Sequence, residues 1–224
     1  HFPFHQSLPM HAMAAGAESD TAATIGSQMK EGDHLSTNGG GRVELLLSPG
    51  SYLRMNDNTE VVAVRTDLDN TRFDIVKGNV IVEIGEVDKN APIESGTPRG
   101  VISMNKSGIY RFDVVGSDVA VSVRRGEAIV GTREQVLSKT GQKISSGRSL
   151  NFLGGNPPST TKLSDKVFDN FDEWSYLRAE SLMGANYSVL TRMRSRNALM
   201  SGWIYDPLMN GYTFIPGSWL FLNP

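Results

Sequence analysis

The sequence predicts a mainly β fold, a sandwich or short β-solenoid, followed by one long amphipathic helix and an aromatic C-terminal hairpin. Segments 60–65, 79–84 and 119–123 are rich in β-branched residues and contain stretches that alternate apolar and polar residues. Gly, Pro, Asn and Asp turn signals separate such segments every few residues. No helical pattern lies between them, which disfavours a parallel α/β fold.

The first element is an N-terminal arm at residues 1–30. It has no core-forming period, so by itself it is expected to be flexible. Phe2 and Phe4 flank Pro3 in a charge-free stretch. We predict that this stretch lies in a groove of a neighbouring subunit by strand addition.

The second element is a β-domain at residues 31–153, and its sequence pattern occurs twice. Residues 48–55 are echoed by 106–112, and residues 73–82 by 121–130. Each longer segment contains a basic residue followed by glycine, at Gly78 and at Gly126. We interpret the echo as a duplication with an insertion near residues 57–70, although any all-β sequence yields some coincidences of this kind.

The third element is an amphipathic helix at residues 164–197. Apolar residues recur there at steps of three and four, from Val167 to Val189. Ser164 is the predicted N-cap. Acidic residues enrich the early turns and arginines the last turns, which suits the helix dipole.

The fourth element is an aromatic tail at residues 202–224. The pair Asn210-Gly211 predicts a tight hairpin turn. An isolated hairpin is marginal in water, so its ring-bearing face needs a surface to pack on, either the same domain, another subunit or a sugar. With the two phenylalanines of the arm, the tail gives the predicted subunit-interface residues: Phe2, Phe4, Trp203, Tyr205, Tyr212, Phe214, Trp219 and Phe221.

Composition excludes several functional classes. The net charge of -2 and the pI of about 6.1 give no basic field for nucleic acid, and basic residues are interspersed with acidic ones along the β region. There is no cysteine, which excludes disulfides, thiol catalysis and iron–sulfur ligation. No apolar run approaches the roughly 18 residues of a membrane span. We therefore expect a soluble chain. The sequence begins with histidine rather than methionine, so either a signal peptide was removed or the residues were cut otherwise, and we expect an exported protein.

The sequence carries no convincing catalytic constellation. An N-terminal His1, completed by His5, His11 or His34, is a remote alternative as a copper site. Carboxylates such as Asp57 fall in turn-like stretches, where backbone reasons favour them. We therefore expect neither an enzyme nor a metal or cofactor.

The β-domain resembles one known family. The chain resembles the FecR-type β-domain through Thr97-Pro98, the segment 108–114 and the segment 121–130, with segments 32–37 and 48–54 fitting its opening strands. The resemblance covers about residues 31–152. It implies a β fold and an exported, protein-contacting character. Well-known members are membrane-spanning regulators that sense a transporter and restrain a sigma factor, but we find neither the span nor the cytoplasmic part in this sequence, so we do not expect the anti-sigma role.

Three hypotheses follow. The first is a non-enzymatic, self-assembling extracellular or envelope subunit of filament type, which binds copies of itself through the arm and the tail. The second is a periplasmic sensing or adaptor module that binds another envelope protein. The third, more remote, is a copper protein that uses His1.

Overall fold

The structure is a computed structural model. It describes residues 2–5, 12–16, 19–24, 27–48, 50–67, 70–85, 92–164, 168–194, 202–206 and 211–215, and side chains within residues 23–184 of these ranges. The chain divides into two units, His1–Val167 and Phe168–Pro224. Each unit is described here by itself.

The first unit consists of strands and one short helix. Its elements are β1 Phe2–His5, β2 Ala12–Gly16, β3 Ser19–Ala22, β4 Gln28–Met29, β5 His34–Thr37, β6 Val43–Ser48, β7 Ser51–Met55, β8 Glu60–Arg65, β9 Arg72–Ile84, β10 Ile93–Thr97, β11 Gly100–Met104, β12 Gly108–Val115, β13 Asp118–Arg125, β14 Glu127–Gly131, α1 Arg133–Leu137, β15 Gln142–Ser145, β16 Arg148–Phe152 and β17 Ser159–Lys162. The second unit contains α2 Asn170–Arg194, β18 Gly202–Asp206 and β19 Gly211–Ile215.

The strands of the first unit form two sheets that curl into a half-barrel. Sheet I has the order β1, β6, β7, the second half of β9, β12, β13, β16, β17. Sheet II has the order β3, β2, β5, β8, the first half of β9, β10, β11, β14, β15. All these pairs are antiparallel except β9 with β10. The mainly β prediction is confirmed.

The strand β9 belongs to both sheets. Its first half pairs with β8 and β10 in sheet II, and its second half pairs with β7 and β12 in sheet I. The switch occurs at Gly78, whose φ is +92°. A Cβ at Gly78 would lie 2.6 Å from the Cα of Thr59, so both the backbone angle and the close approach require glycine.

Hydroxyl groups replace ladder hydrogen bonds where the strands bend from one sheet to the other. The Oγ1 of Thr37 accepts from the backbone N–H of Thr59 at 3.0 Å. The Oγ1 of Thr59 accepts from the N–H of Asn79 at 3.0 Å. Buried backbone groups need partners, so these threonines allow the sheets to bend without leaving orphan donors.

The two copies of the sequence pattern are not equivalent in three dimensions. At Gly78 the chain passes from sheet II to sheet I, whereas at Gly126 it passes from sheet I to sheet II. A bent unit does recur, in a different register: a hairpin in sheet I, a bend, a hairpin in sheet II, and a second bend. Its bends have positive φ at Asn58 and Gly78 in the first case and at Gly126 and Gly147 in the second. The predicted insertion at residues 57–70 is strand β8, which the unit requires.

One hydrophobic core lies between the two sheets. Alternate residues of each strand point into it, including Val80 and Val82 of β9 and Tyr110 and Phe112 of β12, all fully buried. Each such apolar side chain contributes about 1.5–3 kcal/mol by leaving water.

The N-terminal arm forms strands in this structure. In β1, Phe4 is opposite Leu45 of β6 and Phe2 is opposite Met29 of β4. The strand addition predicted for this segment therefore takes place within the chain at the backbone level.

The two helices begin at capping boxes. In α1, Thr132 and Gln135 bond each other's backbone N–H. In α2, the Oδ1 of Asp169 accepts from the N–H groups of residues 171 and 172, both at 3.0 Å. The helix predicted from Ser164 therefore begins six residues later, because Asp169 supplies the cap.

The predicted C-terminal hairpin is present as β18 and β19. Gly211 lies inside β19, opposite Asp206, so it is not a central turn residue as predicted. The connection, residues 207–210, lies outside the described residues.

Candidate interaction surface

The predicted interface residues fall in three places. Trp203 is opposite Phe214, and Tyr205 is opposite Tyr212, in the ladder of β18 and β19. Phe2 and Phe4 lie in β1. Trp219 and Phe221 lie outside the described residues. Contact of these side chains with another subunit stays a prediction.

The other residues considered for chemistry have local partners where the structure describes them. His34 Nδ1 lies 3.1 Å from Glu60 Oε1. The carboxylate of Asp57 accepts from the side chain of Asn58, within a turn. Within the ranges given above, no three His, Asp or Glu side chains come together in a way that could hold a metal ion. His1 and His11 lie outside those ranges.

A buried charge cluster crosses three strands on the face of sheet I that points away from the core. Arg54 of β7 is directly opposite Glu44 of β6 and diagonal to Glu83 of β9. Its Nε donates to Glu44 Oε2 and its Nη1 donates to Glu83 Oε2, both at 2.7 Å. Arg54 and Glu44 are each 1% exposed at the side chain, against 22% for Glu83.

The carboxylates of this cluster keep Arg54 in its charged form. Burial alone lowers the pKa of Arg54, but the charges and hydrogen bonds of Glu44 and Glu83 outweigh it and raise that pKa above its ordinary value. The guanidinium also lies 5.6 Å from the ring centroid of Tyr52. Because both carboxylates bond the same cation, the arrangement serves the fold rather than a ligand.

A second polar cluster surrounds the bend at Gly126. The hydroxyl of Tyr110 donates to the carbonyl of Lys106 at 2.6 Å and accepts from the N–H of Glu127 at 3.2 Å. The Oε2 of Glu127 lies 2.8 Å from Lys143 Nζ and 3.3 Å from Lys106 Nζ. The hydrogen bond from Lys143, reinforced by Lys106, holds the pKa of Glu127 below its ordinary value. One carboxylate thus serves two lysines.

Charge is divided unequally along residues 1–164, which adds to the interspersed pattern noted in the sequence. Residues 1–98 contain 14 carboxylates and 7 lysines or arginines, whereas residues 99–164 contain 10 lysines or arginines and 4 carboxylates. Because the net charge of the whole chain is only -2, the total conceals the division. A count by segment would have found it.

Five of these ten cations lie on or near the strands β15, β16 and β17 and the bend at Gly126. Within the described strands, β17 is the last of sheet I and β15 the last of sheet II. The cations there are named the basic edge: Lys106, Arg125, Lys143, Arg148 and Lys162. All five are exposed, and Glu127 is the carboxylate that two of them contact. In the described structure the other three form no ion pair. This edge is the candidate interaction surface.

Comparison with known proteins agrees with this fold. Residues 33–128 match the family model described as FecR protein. No curated protein matches the chain. Among the described helices none is long and apolar enough to cross a membrane.

Two solved structures share the architecture. They are crystal structures of a candidate anti-sigma factor from Parabacteroides distasonis, and both have a TM-score of 0.50 with this chain. Their identities are 17% and 16%, and each match covers 59% of this chain and 61% of the crystallised chain. At this identity the likeness establishes the fold.

Proposed function

We propose that this chain, whose residues 33–128 match the FecR protein family model, is a periplasmic sensing or adaptor module. It is exported, has no enzymatic activity and works by binding another envelope protein. The observation that carries the proposal is the family match, supported by the fold shared with a candidate anti-sigma factor. Regulators of that kind act through protein contacts.

The charge distribution supports a protein-binding role. Two acidic residues of the first part, Glu44 and Glu83, bond the same cation, Arg54. The basic edge instead presents Arg125, Arg148 and Lys162 to solvent. Fields of one sign on a surface steer partners of the opposite sign.

A self-assembling subunit is the second candidate. One observation favours it: the acidic and basic parts of one copy are complementary to those of another. Neither the family match nor the fold adds support, so the sensing or adaptor module is the better hypothesis.

Site-specific photo-crosslinking in the organism that encodes the chain tests the proposal. A photoreactive residue replaces exposed Val115 or exposed Lys139 in the full chain, and the buried Val121 serves as the matched control. We expect one discrete adduct with an envelope protein from an exposed position and none from Val121. The partner, tagged in turn, should co-purify the chain.

The size of the purified full chain separates the two candidates. Light scattering should give the mass of a monomer, 24.4 kDa. Salt-sensitive polymers, together with crosslinks only between copies of the chain, would overturn the sensing or adaptor proposal.

A further inference from the structure

The open side of β17 offers backbone groups for a further strand. Leu163 N–H donates to the carbonyl of Gly147 at 2.8 Å. Because hydrogen-bonded pairs alternate in an antiparallel ladder, Thr161 and Ser159 also direct their backbone groups toward β16. Thr160 and Lys162 therefore direct their N–H and C=O groups outward. In the part of the chain that the structure describes, no strand pairs with this side.

The side chains next to this edge carry like charges in direct opposition. Arg148 of β16 faces Lys162 of β17 in a non-hydrogen-bonded pair, where side chains approach most closely. Like charges at such positions are destabilising. Arg125 adds a further cation at the neighbouring bend. An anionic ligand lying along β17 would relieve this repulsion.

Most features that protect sheet edges are weak here. All four residues of β17 are exposed and polar, and Lys162 is the strand's one charged residue. There is no proline in β17 and no irregularity in its ladder with β16. Exposed edges with unpaired backbone groups accept strands from other chains.

Resting on the proposed function, we infer that β17 and the basic edge bind an extended, acidic segment of the partner protein, which adds to sheet I as a strand. The backbone of the partner pairs with Thr160 and Lys162, and its carboxylates face Arg148, Lys162 and Arg125. A nucleic acid or an anionic bilayer would use the cations but not the outward N–H and C=O groups. The strand geometry therefore favours a peptide.

Peptide binding to the purified full chain tests this inference. The probe is a fluorescein-labelled ten-residue peptide that alternates Glu and Val, and its control alternates Lys and Val. Fluorescence anisotropy should show binding of the Glu peptide alone, weakened at least about fivefold between 50 and 300 mM NaCl because exposed charges are screened. The double variant R148E/K162E should weaken binding at least about tenfold.

Matched variants separate charge from backbone pairing. K30E makes the same type of charge change at an exposed lysine outside the basic edge, and it should leave binding within about twofold. Thr160→Pro removes one outward N–H without touching a ladder bond to β16, and it should weaken binding about fivefold. Thr160→Val keeps that N–H and removes only the hydroxyl, which accepts from Gln142 Nε2 at 3.0 Å, so it should bind normally.

Three results would overturn the inference. The first is that the Lys peptide binds as tightly as the Glu peptide. The second is that T160P and T160V lose the same amount of affinity for the Glu peptide. The third is that the chain binds no peptide but binds random-sequence DNA or phosphatidylglycerol vesicles, with an affinity that T160P leaves unchanged. Photo-crosslinking shows whether only the inference about β17 fails or whether the proposed function fails as well. If that partner still crosslinks in R148E/K162E, the module is retained and its interface lies elsewhere.

Discussion

The two ends of the curled sheet treat their charges in opposite ways. Near one end, on β6 and β7 beside the outermost strand β1, Arg54 is buried and bonded to two carboxylates. At the end formed by β16 and β17, Arg148 and Lys162 are exposed, opposed and without a carboxylate partner in the described structure. Both ends lie in the same sheet, so the fold does not dictate the difference. Charge at the first end stabilises the protein, and charge at the second is available to bind.

The largest effect should come from removing the buried cation. Arg54→Met leaves Glu44 buried without its ion pair to Arg54, and we expect a loss of about 3–5 kcal/mol in the free energy of unfolding. Urea denaturation measures it through the midpoint. The double variant E44Q/R54M should recover part of the loss, because the buried carboxylate that has lost its ion pair is the main cause.

Matched removal of a cation at the other end sharpens the comparison. Lys162→Met should change the free energy of unfolding by no more than about 0.5 kcal/mol, and in the stabilising direction because it ends the repulsion with Arg148. If both substitutions cost the same, the division between the two ends is wrong.

Bends are the next test, because both ends depend on them. Gly78→Ala places a Cβ against the backbone of Thr59 at a φ of +92° and should cost about 3 kcal/mol. Gly116, between β12 and β13, has a φ of +59° and open space around it. Gly116→Ala should therefore cost only about 1 kcal/mol. Thermal unfolding of the two variants separates crowding from backbone strain.

Substitution of Tyr110 tests how much the bend at Gly126, near the basic edge, contributes to the free energy of unfolding. Tyr110→Phe removes the hydroxyl that bonds Lys106 and Glu127, and it should cost about 1–2 kcal/mol. Burial, as the main cause, raises the pKa of Tyr110. The folded state therefore keeps the proton longer, and this contribution is present below pH 10.0 and lost as the pH rises further. The variant should lack this alkaline loss in urea titrations.

A further small effect concerns stability in acid. Because the pKa of Glu127 is lowered, its contribution is present above its ordinary pKa of 4.5 and is lost as the pH falls through the folded value. In Glu127→Gln, the free energy of unfolding should fall by about 0.5 kcal/mol less than in the original chain as the pH is lowered. This figure is small because the lysine partners of Glu127 are exposed. An equal or larger loss of stability in acid in the variant would contradict a stabilising contact of Glu127 with Lys106 and Lys143.

Much of the fold was predictable from local pattern. Alternating β-branched segments predicted the strands, and Asn210-Gly211 correctly marked a hairpin although Gly211 itself lies in a strand. The Thr132–Gln135 capping box was the signal for α1, which the strand pattern hid.

The bends and the edge were not predictable in the same way. A glycine after a basic residue marks a bend at both Gly78 and Gly126, but the direction in which the chain crosses depends on long-range pairing. Likewise, only the register of β16 and β17 brings Arg148 and Lys162 face to face. Short-range sequence carries propensity, and distant pairing decides which residues meet.

Strand β9 has a consequence for how the domain comes apart. Its 13 residues supply a central strand to each sheet without a break in the chain. Neither sheet can separate fully while β9 stays hydrogen-bonded in the other sheet, so the half-barrel should unfold as one cooperative unit. Amide hydrogens of residues 73–75 and of residues 80–84 should then exchange with similar protection, even though they lie on opposite sides of the bend. A cut in the chain at Gly78 would remove both sheets at once.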